Sequence, residues 1–103
     1  MKTHLEQTTQ KTQSLFEILT TVCEYYSIDI LDMAERSRRW NLVRAREMYT
    51  KLSRELTKES FSKIGDLVGL DHSTMIACLR RFEKYIEFEK DYRTEYEQIK
   101  IKL

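Results

Sequence analysis

Proline is absent from this 103-residue chain, and glycine occurs only twice, at Gly65 and Gly69. Tight turns between β-strands depend on these two residue types, because proline presets the φ angle of a turn and glycine tolerates a positive one. A chain with so few of them is poorly suited to hairpins and well suited to helices. We therefore expect an all-α protein and, at this length, one domain or one domain with tails.

The spacing of apolar residues predicts a series of helices. Ser14 and Glu17 form a capping box at the start of the first helix, over about 14–26. A short helix near 28–35 and a long one near 40–56 follow. The long helix is expected to turn Leu42, Ala45, Tyr49, Leu52 and Leu56 inward and Arg44, Lys51 and Arg54 outward.

Two closely spaced helices after residue 60 form a helix-turn-helix pattern. Ser60 can cap the first of them, and Gly69 is a suitable residue to end it. After a very short turn, Asp71 or Ser73 can cap the second. This second helix is expected to place Met75, Cys78, Leu79, Phe82 and Ile86 inward and Ser73, Ala77, Arg80 and Lys84 on the opposite face.

The apolar stripe changes phase after Ile86, and a separate aromatic stripe follows. Its members are Phe88, Tyr92, Tyr96, Ile99 and Leu103. Either the helix breaks near 87–90 and the last part folds back on the first helix, or it continues and pairs with a second copy. We favour the fold-back and a monomer. The predicted parts are a flexible tail (1–12), a helix-turn-helix domain (13–87) and a C-terminal aromatic helix (88–103) that packs on the domain or a partner.

Positive charge is concentrated in one segment of the chain. Residues 1–35 carry two bases and six acids, a net charge of −4, whereas residues 36–54 carry seven bases and one acid, a net charge of +6. Charges act together at physiological salt only within about 8–10 Å, so such a dense segment can bind a polyanion. On charge alone, a solvated helix face is the alternative.

The start of the second helix of the pair carries groups suited to reading DNA. Hydroxyl side chains and free N–H groups at a helix N-terminus can bind phosphate, and His72 or Thr74 can contact base edges or a thymine methyl. Ala77 permits close approach, and Arg80 and Lys84 extend the same face toward the DNA backbone. Simple capping of the helix is the alternative interpretation of its first residues.

Two short runs within this region, with the glycine between them, resemble a known family. They are Leu-Thr-Lys-Glu-Ser-Phe-Ser-Lys-Ile-Gly at 56–65, Gly69, and Asp-His-Ser-Thr-Met at 71–75. Together they resemble the C-terminal DNA-binding domain of the bacterial replication initiator DnaA, and the similarity extends over about 16–86. The resemblance implies sequence-specific binding of double-stranded DNA at DnaA-box-like sites, in replication initiation or transcriptional control.

The resemblance also implies roles for individual residues. Arg38 matches the arginine that such domains insert into the minor groove of DNA. Positions that match readers of base edges are Asp71, His72 and Ser73 or Thr74. Positions that match phosphate contacts are Arg46, Arg54, Thr57, Thr74 and Arg81. Phosphate contacts set the register and the salt-dependent affinity rather than the sequence preference.

Three features depart from the family pattern. The turn before Asp71 is one residue shorter than usual and lacks a basic residue. Glu47 replaces a glutamine and is expected to repel a nearby phosphate. Ser73 replaces a threonine and so lacks a methyl group. We expect these changes to alter the preferred target sequence more than the fold or the ability to bind DNA.

Other classes of function are disfavoured by the sequence. The chain has no G-x-x-x-x-G-K-[ST] loop, so we expect it to bind no nucleotide, and its start at Met1 favours a free-standing DNA-binding protein over an excised initiator domain. His4 and His72 lack partners at catalytic spacing, so we expect no enzyme activity. An adaptor that keeps the fold and binds proteins through the C-terminal aromatic helix is the alternative function.

Cysteine and hydropathy patterns complete the expectations. Cys23 and Cys78 lie on apolar faces of predicted helices, which favours buried free thiols over a disulfide. No cysteine or histidine pairs with another at ligand spacing, so we expect no metal and no other cofactor. No segment has the run of about 18 apolar residues that a membrane span needs, so we expect a cytoplasmic protein with no membrane partner.

Overall fold

The computed structural model describes residues 13–103, and the predicted tail at 1–12 lies outside the described residues. Residues 13–103 form five α-helices and one 3₁₀ helix and contain no β-strand. The helices are α1 (Leu15–Tyr26), the 3₁₀ helix (Ile30–Ala34), α2 (Trp40–Leu56), α3 (Phe61–Val68), α4 (His72–Phe88) and α5 (Lys90–Ile101). The prediction of an all-α fold is confirmed.

Helix ends follow the capping chemistry of the local sequence. The Ser14 hydroxyl accepts the backbone N–H of Glu17 at 3.0 Å, and the Glu17 carboxylate accepts the backbone N–H of Ser14 at 3.1 Å. This is the predicted capping box. At the start of α3, the Ser60 hydroxyl accepts the N–H of Lys63 at 3.1 Å. Gly69 ends α3 with a φ of 73°, the left-handed conformation that glycine adopts without strain.

The short segment predicted near 28–35 is a 3₁₀ helix. The Asp29 carboxylate caps it by accepting the N–H of Leu31 at 2.9 Å. At its end, the N–H of Glu35 donates to the carbonyl of Asp32 at 3.0 Å. Met33 anchors this connector in the core, where its side chain is fully buried. Short 3₁₀ segments are common connectors of this kind.

The long helix α2 is the centre of the fold, because α1, α3 and α4 all pack against it. The predicted inward residues Leu42, Ala45, Tyr49 and Leu52 are buried, and Leu56 is half-buried. Burial extends further around the helix than the sequence predicts, to Glu47, Met48, Thr50 and Ser53. Two side chains predicted to point outward, Arg44 and Lys51, are half-buried. Arg44 forms a 2.6 Å ion pair with Glu95 of α5, so this side of α2 is covered by the last helix.

The helix is interrupted at Glu89, and α5 folds back against α1 and α4. Tyr92 and Ile99 of the aromatic stripe are buried, and Tyr96 and Leu103 are half-buried. This is the first of the two arrangements considered above. The inclusion of Phe88 in the stripe is wrong, because Phe88 is the last residue of α4 and its side chain is 77% exposed.

Both cysteines are free and buried, as predicted. Burial, together with the smaller effect of the nearby carboxylates of Asp29 and Asp32, raises the pKa of the Cys23 thiol to about 11. Across residues 13–103, no helix is both long enough and apolar enough to cross a membrane.

Candidate nucleic-acid interface

Gly65 sets the distance between the two helices of the helix-turn-helix. A Cβ atom on Gly65 would lie 2.2 Å from the carbonyl oxygen of Leu70 and 3.0 Å from Cγ of Met75. Those distances leave no space for a side chain. The N–H of Leu70 donates to the carbonyl of Gly65 at 3.0 Å and closes the turn. The short turn therefore holds α4 against α3 through a direct backbone contact.

The start of α4 presents the residues predicted to read bases. Asp71 is the N-cap, and its carboxylate accepts the N–H of Thr74 at 2.8 Å. This backbone hydrogen bond lowers the pKa of Asp71, so the carboxylate stays ionised at neutral pH. The side chains of Asp71, His72 and Ser73 are exposed, and Thr74 is half-buried. His72 and Ser73 are thus free to enter a groove of DNA, while Asp71 is already used as a cap.

Four arginines from three parts of the fold converge on one surface cleft of about 600 Å³, which we call the arginine cleft. It is lined by Arg36, Ser37, Arg38, Val43, Arg46 and Arg81. Three of these residues, Arg38, Arg46 and Arg81, were predicted to contact DNA. Four cationic groups around one cleft concentrate positive potential, which attracts a polyanion.

Arg46 connects the cleft to the basic loop, residues 36–39. Its Nε donates to the carbonyl of Met33 at 2.8 Å and its Nη1 to the carbonyl of Ser37 at 3.3 Å. Its Nη2 donates to the carbonyl of Glu35. Burial lowers the pKa of Arg46, although an arginine stays charged at any physiological pH. Arg46 therefore holds the backbone on both sides of Arg36, and its predicted phosphate contact stays a prediction.

Arg81 lies at the α4 side of the cleft, and Glu47 lies beneath it. The Nε of Arg81 donates to Glu47 Oε2 at 2.9 Å, and the hydroxyl of Tyr92 donates to Glu47 Oε1 at 2.6 Å. The Glu47 side chain is 1% exposed, whereas that of Arg81 is 44% exposed. The expectation that Glu47 faces and repels a phosphate is wrong, because its carboxylate is buried between helices and paired with Arg81.

Arg54 and Thr57 lie in a second region, at the end of α2. Arg54 Nη1 donates to the carbonyl of Glu59 at 3.0 Å, and the guanidinium lies 4.3 Å from the centre of the Phe61 ring. The Thr57 hydroxyl donates to the carbonyl of Ser53 at 2.6 Å and accepts the N–H of Glu59 at 3.1 Å. Both residues therefore shape the loop that leads into the helix-turn-helix.

Helix α4 joins the base-reading positions to the arginine cleft. Thr74 and Arg81 are seven residues apart, so they lie on one side of α4 and about 10 Å apart along its axis. Three residues that line the cleft, Arg36, Ser37 and Val43, were not among the predicted site residues. The concentration of charge in 36–54 pointed to the region of Arg36, but the convergence with Arg81 has no signal in the sequence.

Comparison with known protein families identifies this region of the chain. Residues 16–81 match the family described as the bacterial dnaA protein helix-turn-helix. The matched segment covers well over half of the chain, from α1 into α4, and includes every residue to which the resemblance assigned a DNA contact. Helix α5 lies outside it. With a match of this extent over the helix-turn-helix and the arginine cleft, the chain belongs to the bacterial DnaA helix-turn-helix family of DNA-binding domains.

Proposed function

We propose that this protein binds double-stranded DNA sequence-specifically, at sites similar to the DnaA box, in replication initiation or transcriptional control. In this arrangement the start of α4 enters the major groove, where His72 and Ser73 reach base edges. The basic loop places Arg38 in the adjacent minor groove. A major groove about 12 Å wide admits a helix, whereas a minor groove about 6 Å wide admits an extended arginine side chain.

The arginine cleft is the observation that carries this proposal. It places four guanidinium groups beside the helix whose N-terminus presents the base-reading residues. In the proposed complex the phosphate contacts are made by Arg46, Arg54, Thr57, Thr74 and Arg81. These contacts position the protein on the duplex, and the exposed groups at the start of α4 supply the sequence preference.

Family membership supports a binding module and not an enzyme. We propose that the chain acts in the cytoplasm as a monomer, without a metal, a nucleotide or another cofactor. The adaptor alternative rested on an available aromatic stripe. Tyr92 and Ile99 are buried and Tyr96 is half-buried, so most of that stripe is used within the protein's own fold.

Salt dependence of duplex binding tests the proposal. If Arg46, Arg54, Arg81 and two or three other groups neutralise phosphates, log K should fall against log[salt] with a slope of about −4.5 to −5.5, at about 0.9 for each contact. The measurement is fluorescence anisotropy of a labelled duplex, first with random sequence and then with sequences selected from a random pool. A slope near zero, or no binding at about 50 mM salt, would contradict the proposal.

A matched pair of charge reversals locates the interface. Arg38→Glu and Lys102→Glu change the net charge by the same amount, but Arg38 lines the arginine cleft and Lys102 lies just after α5. Arg38→Glu should weaken duplex binding at least tenfold, while Lys102→Glu should change it less than twofold. Equal losses in both variants would mean that only the overall charge matters.

A further inference from the structure

Glu47 is the one charged residue in the core of the described part of the chain. A carboxylate removed from water is costly unless charges or hydrogen bonds compensate it. Here each oxygen has one partner, Oε2 the Nε of Arg81 and Oε1 the hydroxyl of Tyr92. The carboxylate therefore connects three helices, α2, α4 and α5, at a single point.

We propose that Glu47 and Tyr92 are positioning residues for DNA binding, which hold the guanidinium of Arg81 at the arginine cleft. Through them, α5 takes part in DNA binding without touching DNA. This inference rests on the proposed function, in which Arg81 contacts a phosphate.

The geometry of Arg81 supports this role. A guanidinium is planar, so a hydrogen bond at Nε fixes the plane of the whole fork. Nη2 of Arg81 lies 3.5 Å from Sγ of Cys78, which restrains the inner edge. With 44% of the side chain exposed, the outer edge of the fork remains open to an anion. An arginine ordered in this way before binding loses less side-chain entropy when it binds a phosphate. This raises the affinity about 2- to 10-fold over that of an unordered arginine.

Tyr92 lies outside the segment that matches the family, whereas Glu47 and Arg81 lie within it. The hydrogen bond from Tyr92 is thus a contribution of the C-terminal helix to a site built by the matched domain. The same helix also offers a control. The Tyr96 hydroxyl donates to Glu55 of α2, which gives a second tyrosine–glutamate link between the same two helices. Glu55 does not line the arginine cleft.

Tyr92→Phe tests the positioning role, because it removes one hydroxyl and leaves both the aromatic ring and the charge of Glu47 in place. We expect the affinity for a labelled duplex to fall about 2- to 10-fold, and the salt slope to lose up to about 0.9. Tyr96→Phe should leave both quantities unchanged. In an Arg81→Ala background, Tyr92→Phe should cause no further loss, since the group that it positions is absent.

Arg81→Lys is an independent second variant at a half-exposed position, and it keeps the positive charge. It should lose affinity as Tyr92→Phe does, because an ammonium cannot keep the Nε bond to Glu47 and present a fixed fork. Circular dichroism and melting curves establish that each variant is folded. If Tyr92→Phe does not fold, unchanged affinity in Arg81→Lys still overturns the inference.

Three results would overturn the inference alone: unchanged affinity in Tyr92→Phe, unchanged affinity in Arg81→Lys, or a full further loss when Tyr92→Phe is added to Arg81→Ala. Failure of the unsubstituted protein to bind any duplex would instead overturn the proposed function, and this inference with it.

Discussion

The residues predicted to contact DNA differ in what their side chains do in the free protein. His72 and Ser73 are exposed at the start of α4. Arg46 and Arg54 are instead held by backbone carbonyls, and Arg54 is also held by the ring of Phe61. Ordered cations suit the fixed spacing of phosphates, whereas unconstrained side chains can adjust to the edges of bases. We therefore expect substitutions in the two groups to have different signatures.

Arg54→Ala should weaken binding to all duplexes about equally and reduce the salt slope by about 1. His72→Ala should cost about 1–3 kcal/mol on the preferred sequence and little on random DNA. Anisotropy titrations on a selected duplex and on a shuffled one separate the two effects. If both substitutions act uniformly on every sequence, direct readout by the start of α4 is wrong.

A second prediction at the residue scale concerns pH and Glu55. Burial by itself raises the pKa of Glu55, but hydrogen bonds from Lys100 and Tyr96 outweigh it and leave the pKa below the ordinary value of 4.5. A carboxyl group whose pKa is lower in the folded state stabilises the protein above its unfolded pKa. That stabilisation is lost as the pH falls through the folded pKa.

Glu55→Gln should therefore lower the melting temperature at neutral pH and have progressively less effect as the pH falls below about 4.5. Melting curves between about pH 3 and pH 7 measure this. Glu97→Gln, at an exposed position of α5, is the control. If the difference in melting temperature between Glu55→Gln and the unsubstituted protein is the same over the whole pH range, the ion pair of Glu55 with Lys100 does not account for the loss of stability in acid.

At the scale of elements, the helix-turn-helix depends on backbone contact and not only on apolar packing. Helix α3 has eight residues, too few to be stable in isolation. Its orientation is set by the approach of the Leu70 carbonyl to Gly65 and by the left-handed conformation of Gly69. The two glycines thus have separate roles. Gly65 is needed because there is no room for a side chain, and Gly69 is needed because its backbone adopts a positive φ.

Gly65→Ala should destabilise the protein by about 1–3 kcal/mol, because the added methyl group meets a backbone oxygen that cannot move without displacing α4. Gly69→Ala should cost about 1–2 kcal/mol through its left-handed backbone. Ser62→Ala, at an exposed position of α3, is the control and should be close to neutral. Urea denaturation gives the three values. Tolerance of alanine at residue 65 would show that the turn can open.

At the scale of the whole molecule, α5 completes the core. It buries Tyr92 and Ile99, and it supplies Glu95 to the ion pair with Arg44. Gln13 Nε2 also donates to the carbonyl of Leu103 at 2.8 Å, which ties the two ends of the described chain together. Apolar burial on this scale contributes substantially to the small net stability of a single domain.

Truncation after Glu89 should lower the free energy of unfolding by several kcal/mol, since it exposes the surface that α5 covers and removes one partner of Glu47. Phe88→Ala should have little effect, because Phe88 is exposed. Denaturation experiments measure both changes. Sedimentation equilibrium at tens of micromolar should show a monomer for the full chain, and a dimer that Tyr92→Asp converts to a folded monomer would contradict this expectation.

The sequence by itself determined the helices, the helix-turn-helix and the family. Ser14, Ser60 and Asp71 each cap a helix by accepting an N–H three residues later, so each signal lies within a few positions of its effect. The chemistry of the turn at Gly65 and Gly69 is equally local. For the same reason, the pattern of residues alone predicts the position of the α4 cap, and of the helix end after Ile86, to within a few residues.

Only the tertiary structure decided which charged residues act together. Arg38 and Arg81 are 43 positions apart, and they meet because α2 and α4 pack side by side. Glu47 was expected to face a phosphate, but it is buried because α5 folds back over that side of α2. A helical period shows which residues share a face, but it cannot show how many partners cover the helix. Burial and charge pairing depend on that coverage, which packing between distant parts of the chain sets.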